Sequence, residues 1–247
     1  MESMKEAMEY LVNLSQEADT PKVLNICGKT YSNKNLVRYD KAEKALPIAA
    51  RTLTSLSDYI ENCSGEFRDN MIIHIVDPKE VRLMSALDQE RERETLFVAE
   101  AEVSEFTFDY WYDQERFMIE LQSNFQENDD LKLVMKLAGN VEQKNNQTYS
   151  DDGVTQVATM TVGAASKADV VVPNPVELIP HRTFQEIEQP SSKFVFRIGS
   201  GEQPKFKLIE AEGGIWRNEA VANIKDYLFK MLEEMPEEIR DRVVIIG

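Results

Sequence analysis

Cysteine and histidine are scarce in this 247-residue chain, with two of each. Cys27 and Cys63 stand too far apart, and without companions, to form a disulfide framework or a thiolate metal site, so both read as reduced structural thiols. His74 sits inside an apolar strand and His181 follows Pro180 in a separate segment. Neither has a partner at the i, i+4 spacing of a helical zinc site, so no metal centre and no cofactor is expected on them. Long hydrophobic runs are also missing. The apolar stretches at Val170 to Pro173 and Val243 to Gly247 fall far short of the roughly 20 residues that span a bilayer. Glycine-rich phosphate loops are absent as well: Gly28-Lys29-Thr30 lacks the upstream glycine of a Walker sequence, and neither a dinucleotide fingerprint nor a Gly-x-Ser-x-Gly elbow occurs.

What is abundant is negative charge. Asp and Glu number 44 against 28 Lys and Arg, a net charge of −16, spread along the chain instead of gathered in a tail. A folded surface carrying that excess repels nucleic acid and anionic membrane and favours basic partners. With 42% hydrophobic residues the chain can still bury a substantial core. Acidic residues at Glu2, Glu6 and Glu9 occupy the place where a secretory signal needs a basic and then an apolar segment, so a cytoplasmic location is expected.

The periodicity predicts an α+β fold, mainly antiparallel sheet with an N-terminal helix, central helices and a C-terminal helix. Residues 1–45 form an extension of helix and hairpin, and residues 46–247 the main α+β domain. Met4, Met8, Leu11 and Leu14 give the first helix an apolar side that docks on the body or on another subunit. Val23 to Cys27, the turn-like Gly28-Lys29 and Thr30 to Ser32 read as a hairpin, its second arm leading on to Leu36 to Tyr39. A helix fits Thr54 to Cys63, capped by Thr54 or Ser55. Asn70 to Val76 reads as a buried strand, and Val81 to Leu87 and Thr95 to Ala99 continue an antiparallel meander. Asp113 caps a helix running through Phe117, Leu121 and Phe125, and Asp129-Asp130 opens another that Gly139-Asn140 stops. Strands return at Thr155 to Val162, Val170 to Val172 and Lys193 to Ile198, followed by a helix over Arg217 to Glu234 and an edge strand at Val243 to Ile246.

Acidic pairs at Asp129-Asp130, Asp151-Asp152, Glu186 with Glu188, and Glu210 with Glu212 have the composition of magnesium ligands or an acid/base pair. Among so many carboxylates, neighbouring acids arise by chance and serve as caps, turns or solvated faces. Asp151-Asp152-Gly153 also suits a hairpin turn. Two stretches are more unusual. Between Val172 and Pro190 four prolines stiffen an extended path on which Arg182, Phe184 and Glu186 share one face beside His181. There Arg182 either clamps a carboxylate or phosphate with Phe184 stacked alongside, or bridges acids on a neighbouring strand or subunit. In Glu210 to Trp216, Gly213-Gly214 permits a backbone closed to other residues and delivers Trp216 as a packing anchor or ligand lid.

The order of Thr54 to Ile60, Ile73 to Pro78, Asp151 to Gln156, Pro173-Asn174-Pro175, Arg182-Thr183-Phe184, Gln189-Pro190 and Glu212 to Trp216 resembles the YfdQ-like phage and prophage proteins, over roughly Leu46 to Met235. That resemblance implies a phage or prophage accessory product located in the host bacterial cytoplasm, with no catalytic residue to carry over. Joined to the acidic surface, it points to a non-enzymatic protein that self-assembles as a homo-oligomer and binds a host or phage component, such as a basic host protein, inhibiting a bacterial defence. The alternatives are a protein that sequesters a nucleotide signal with Arg182 and either Phe184 or Trp216, and a metal-dependent hydrolase built on Asp151 and Asp152. The sites carried forward are Arg182, Phe184, Glu186, Trp216 and His181 for a ligand or partner, with no catalytic residue and no direct contact to nucleic acid or membrane.

Overall fold

Alternating apolar side chains in residues 71–100 build the first of two five-stranded sheets in the computed structural model, which describes residues 2–35, 43–67, 70–140, 156–162, 166–172, 174–199 and 203–247, with the side chains of 156–170 left aside. The fold is α+β. Contacts divide the chain into a unit of residues 1–44 and a unit of residues 45–247.

In the smaller unit, α1 (Glu2–Asp19) precedes a hairpin of β1 (Val23–Ile26) and β2 (Lys29–Ser32). Cys27 and Gly28 make its two-residue turn with φ of 53° and 75°, the left-handed pair that matches the twist of a hairpin. The stripe on α1 is open, with Met4 69%, Met8 60% and Leu11 64% exposed. The expected second arm at Leu36 to Tyr39 lies outside the described residues.

In the larger unit, the first sheet comprises β3 (Ile48–Ala50), β4 (Met71–Asp77), β5 (Glu80–Ser85), β6 (Thr95–Glu100) and β14 (Val243–Ile246), in the order β14-β4-β5-β6-β3. Its centre is the expected antiparallel meander, while both edge strands run parallel to their neighbours. Ile73 faces Leu83, and Leu83 faces Phe97, on one buried side. Ile72 and His74 are half-buried on the other, so β4, expected as a buried strand, buries one side of its length. The buried side is covered by α2 (Leu53–Asn62) and α5 (Trp216–Glu233). Leu53, Leu56 and Ile60 recur at helical spacing on α2, and Ile224, Leu228 and Met231 on α5. The cap of α2 is Thr52, whose hydroxyl accepts from Ser55 N at 3.2 Å. The helix therefore starts ahead of the expected Thr54 or Ser55, because Leu53 already belongs to its buried face.

The second sheet comprises β7 (Tyr112–Asp113), β8 (Phe125–Gln126), β11 (Val176–Pro180), β12 (Ser192–Gly199) and β13 (Lys205–Glu210), in the order β7-β13-β12-β11-β8. All its pairings are antiparallel. Phe194, Phe196, Phe206 and Leu208 point inward beneath α3 (Gln114–Asn124) and α4 (Asp129–Asn140). Phe117 of α3 stacks 5.9 Å from Phe196 and 5.3 Å from Phe206. Asp113 caps α3 as expected, accepting from Arg116 N at 2.9 Å. Phe125 instead leaves the helix for β8, where its ring lies 5.2 Å from Phe106. Asn128 caps α4 through Leu131 N, and Asp130 accepts from Glu177 N of β11, both at 2.7 Å. A further hairpin pairs β9 (Gln156–Val162) with β10 (Ser166–Val172). The strand expected before it and the Asp151-Asp152-Gly153 turn lie outside the described residues. The short α6 (Glu237–Arg240) leads into β14.

The segment after β11 does not stay extended. It turns, with Ile187 N donating to Phe184 O at 3.5 Å, and a buried glutamine holds the turn. Gln189 Oε1 accepts from Arg182 N at 3.0 Å and Thr183 N at 3.3 Å, while Nε2 donates to Phe184 O at 2.8 Å and Ile187 O at 3.3 Å. One side chain thereby replaces the strand partners that this buried backbone lacks. Gln189→Ala leaves these groups buried without partners and should cost about 2–3 kcal/mol. Urea unfolding should show a lowered midpoint with an unchanged slope; an unaltered midpoint would mean that the amide is dispensable.

Candidate functional site

The turn at 181–190 sends its side chains to three places, so Arg182, Phe184 and Glu186 do not share a face. Phe184 is 1% exposed and enters the core of the first sheet together with Ile187. It cannot stack on a ligand. Glu186 accepts from Leu53 N at 2.7 Å and Thr54 N at 3.3 Å, so its carboxylate supplements the Thr52 cap at the positive end of α2. The expectation of one recognition ledge fails because alternation requires a strand, and Gln189 stabilises a turn. Arg182, His181 and Trp216 are the three that come together.

Their meeting place is a cleft of about 360 Å³. The β4–β5 turn supplies Lys79, residues 104–108 supply Phe106 and Phe108, α3 supplies Asn124 from its end, and α5 supplies Trp216 and Arg217 from its start. Phe108 is stacked on Phe194 at 5.1 Å. Lys79 Nζ forms an ion pair with Glu105, which holds the Glu105 carboxyl below the usual carboxylate range through that hydrogen bond.

Arg182 is the charged centre of the site and is 8% exposed. Its Nη1 donates to Glu210 at 3.2 Å, and its Nη2 to Ser192 Oγ at 2.7 Å and Pro190 O at 3.3 Å. The guanidinium carbon lies 4.0 Å from the centre of the Trp216 ring, a cation–π contact. Burial lowers the guanidinium pKa to about 10; the Glu210 carboxylate opposes that shift and Arg217 adds to it. A folded value below the unfolded one means that the buried charge weakens the fold at neutral pH, and that stability rises only as pH climbs past about 10. Glu210 is thus the partner of Arg182, while Glu212 pairs with Lys193 at 3.3 Å. Among the described residues no group of three or more His, Cys, Asp and Glu side chains is placed to hold a metal ion, and Asp151 and Asp152 lie outside them.

Among the described residues, three buried polar atoms here have no hydrogen-bond partner: Arg182 Nε, His181 Nδ1 and Asn124 Oδ1. The Asn124 amide orientation is fixed, because Nδ2 donates to Glu120 O and Oε2 at 2.9 Å each. Unpartnered groups of this kind cost free energy, and binding sites are where they are tolerated. Sequence reasoning passed over Lys79, Asn124 and Arg217. Only Arg217 had a nearby signal, the adjacent Gly213-Gly214-Ile215-Trp216. Gly214 has a φ of 80°, and a β-carbon there would collide with the Arg217 guanidinium.

Arg182→Ala strips Glu210 and Ser192 of a partner and uncovers Trp216, and should destabilise the protein by about 2–4 kcal/mol. Arg182→Met, which keeps an unbranched apolar stem on the indole, should cost less in the same urea titration. Equal losses would show that packing on Trp216 contributes nothing. No family model, curated protein or solved structure matches this chain, and the chemistry of the cleft rests on its own residues.

Proposed function

We propose that this chain is a non-enzymatic binding protein of the phage or prophage accessory kind, and that it sequesters a small molecule in the Arg182 cleft. The observation that carries this reading is the gathering of three unpartnered polar atoms, on Asn124, His181 and Arg182, in residues that line one aromatic-walled cavity. Its volume of about 360 Å³ falls within the range of small-molecule sites, which are mostly apolar with a few orienting polar groups. The resemblance to YfdQ-like proteins supports the phage assignment. Interference with a host signal or defence would follow from withdrawing the bound molecule from solution.

The test is thermal denaturation of the full chain against a panel of nucleotides, nucleosides and aromatic acids. A ligand at roughly 100 times its Kd adds about 2.7 kcal/mol of stability, a rise of several degrees for a chain of this size. Ser104→Trp, an exposed position on the cleft, should fold and abolish that rise. A flat response across the panel, or a rise that survives the plug, defeats the reading.

A second reading, self-association, is favoured by α1. Its open Met4, Met8 and Leu11 stripe suits packing against another copy or a partner protein. Sedimentation should show an oligomer that Met8→Glu with Leu11→Glu converts to monomer. A monomeric parent protein ends that reading without touching the cleft.

A further inference from the structure

Resting on the reading of the cleft as a binding site, we infer that its ligand is an oxyanion with a flat apolar body, the phosphate or carboxylate seated at the Arg182–Trp216–Arg217 corner and the body against Phe106 and Phe108. Both guanidinium carbons lie near one indole, at 4.0 and 4.9 Å from its ring centre. The two arginines differ in how their charge is met. Arg182 has Glu210, whereas Arg217 is exposed and makes one polar contact among the described residues, a long 3.5 Å donation from Nη1 to Gly214 O. Most of the Arg217 donors are therefore unspent. In a chain with a net charge of −16, Arg217 makes no ion pair among the described residues, although Asp77 and Glu105 also line the cleft and Glu105 is taken by Lys79.

The remaining contacts support the same class of ligand. Two like charges beside one ring repel each other, and Arg217 adds to the lowering that burial imposes on Arg182 while Glu210 opposes it. An oxyanion reverses that repulsion, because guanidinium forks match the geometry of carboxylate and phosphate oxygens. Lys79 is held by Glu105 and leaves the corner to the arginines. The walls away from the charged corner are aromatic: Phe106, which is buried, and Phe108, which is half-buried. Such rings contact an apolar or aromatic body and discriminate poorly among free inorganic anions. A nucleoside monophosphate and a simple aromatic acid share this chemistry.

The experiment is calorimetric titration of the full chain with AMP, phenyl phosphate and benzoate, beside adenosine, phenol and inorganic phosphate. Binding by an anion that carries a ring, weakened by added salt and absent for its neutral counterpart, is the expected result. Arg217→Ala should weaken that binding by about tenfold or more with an unchanged melting curve, since the side chain is exposed. AMP alone binding assigns a nucleotide; phenyl phosphate or benzoate binding as well assigns the broader class. A neutral compound that binds as tightly as its anion, or an Arg217→Ala affinity within about twofold of the parent, overturns the oxyanion while the cleft remains a binding site. Inorganic phosphate binding as tightly as AMP overturns the role of the ring. Silence from all six probes overturns the inference, and the site itself falls only if the thermal-denaturation panel is flat too.

Discussion

A guanidinium buried where two sheets meet constrains everything placed around it. Arg182 leaves the end of β11 in the second sheet, and a few residues later Phe184 and Ile187 enter the core of the first. A charge in that position needs donors satisfied from several directions at once. Glu210 of β13, Ser192 at the start of β12, the Pro190 carbonyl and the Trp216 ring each answer part of that need. Because these partners come from separate elements, the ion fixes how β13 runs into α5 and how the 181–190 turn sits between them. Such an arrangement specifies geometry at some expense in stability, since desolvation works against the charge.

The two cores are built differently, and the difference suits the join. Beneath α2 and α5 the first sheet buries mainly aliphatic side chains, with Tyr59, Phe67, Phe97 and Phe184 as the aromatic members and Tyr59 and Phe97 5.3 Å apart. Beneath α3 and α4 the second buries a chain of phenylalanine rings running from Phe106 through Phe117 to Phe196 and Phe206. The outer end of that aromatic cluster, Phe106 and Phe108, forms the cleft wall. The site is thus continuous with the core of the second sheet, and its charged corner joins Arg182, just past β11, to Trp216 and Arg217 of α5.

Local patterns were legible in the sequence. The meander of β4, β5 and β6, the Asp113 cap, the β1–β2 hairpin and the α5 periodicity all depend on residues within a turn or two of each other. Contacts between distant residues were not. Glu210 lies 28 positions beyond Arg182, and nothing around either marks them as a pair among so many carboxylates. The edge strands β3, β7 and β8 are two or three residues long, too short to display alternation. The grouping of Arg182, Phe184 and Glu186 on one face misread a proline-rich stretch as extended, because a side-chain amide at Gln189 supplied the turn's hydrogen bonds. Trp216 was legible as an anchor from Gly213 and Gly214, whereas Asn124 and Lys79 became site residues only through the folding of remote segments.

The helix cap at Glu186 bears on the order in which the chain assembles. Its carboxylate reaches an amide 133 positions earlier in the chain, so during synthesis α2 emerges long before the group that completes its start. Thr52 alone holds that first turn in the interval. The packing of α2 on the first sheet uses neighbours close in sequence, whereas the second carboxylate on its start depends on a contact of high sequence separation, the kind that pays the larger loop-closure entropy.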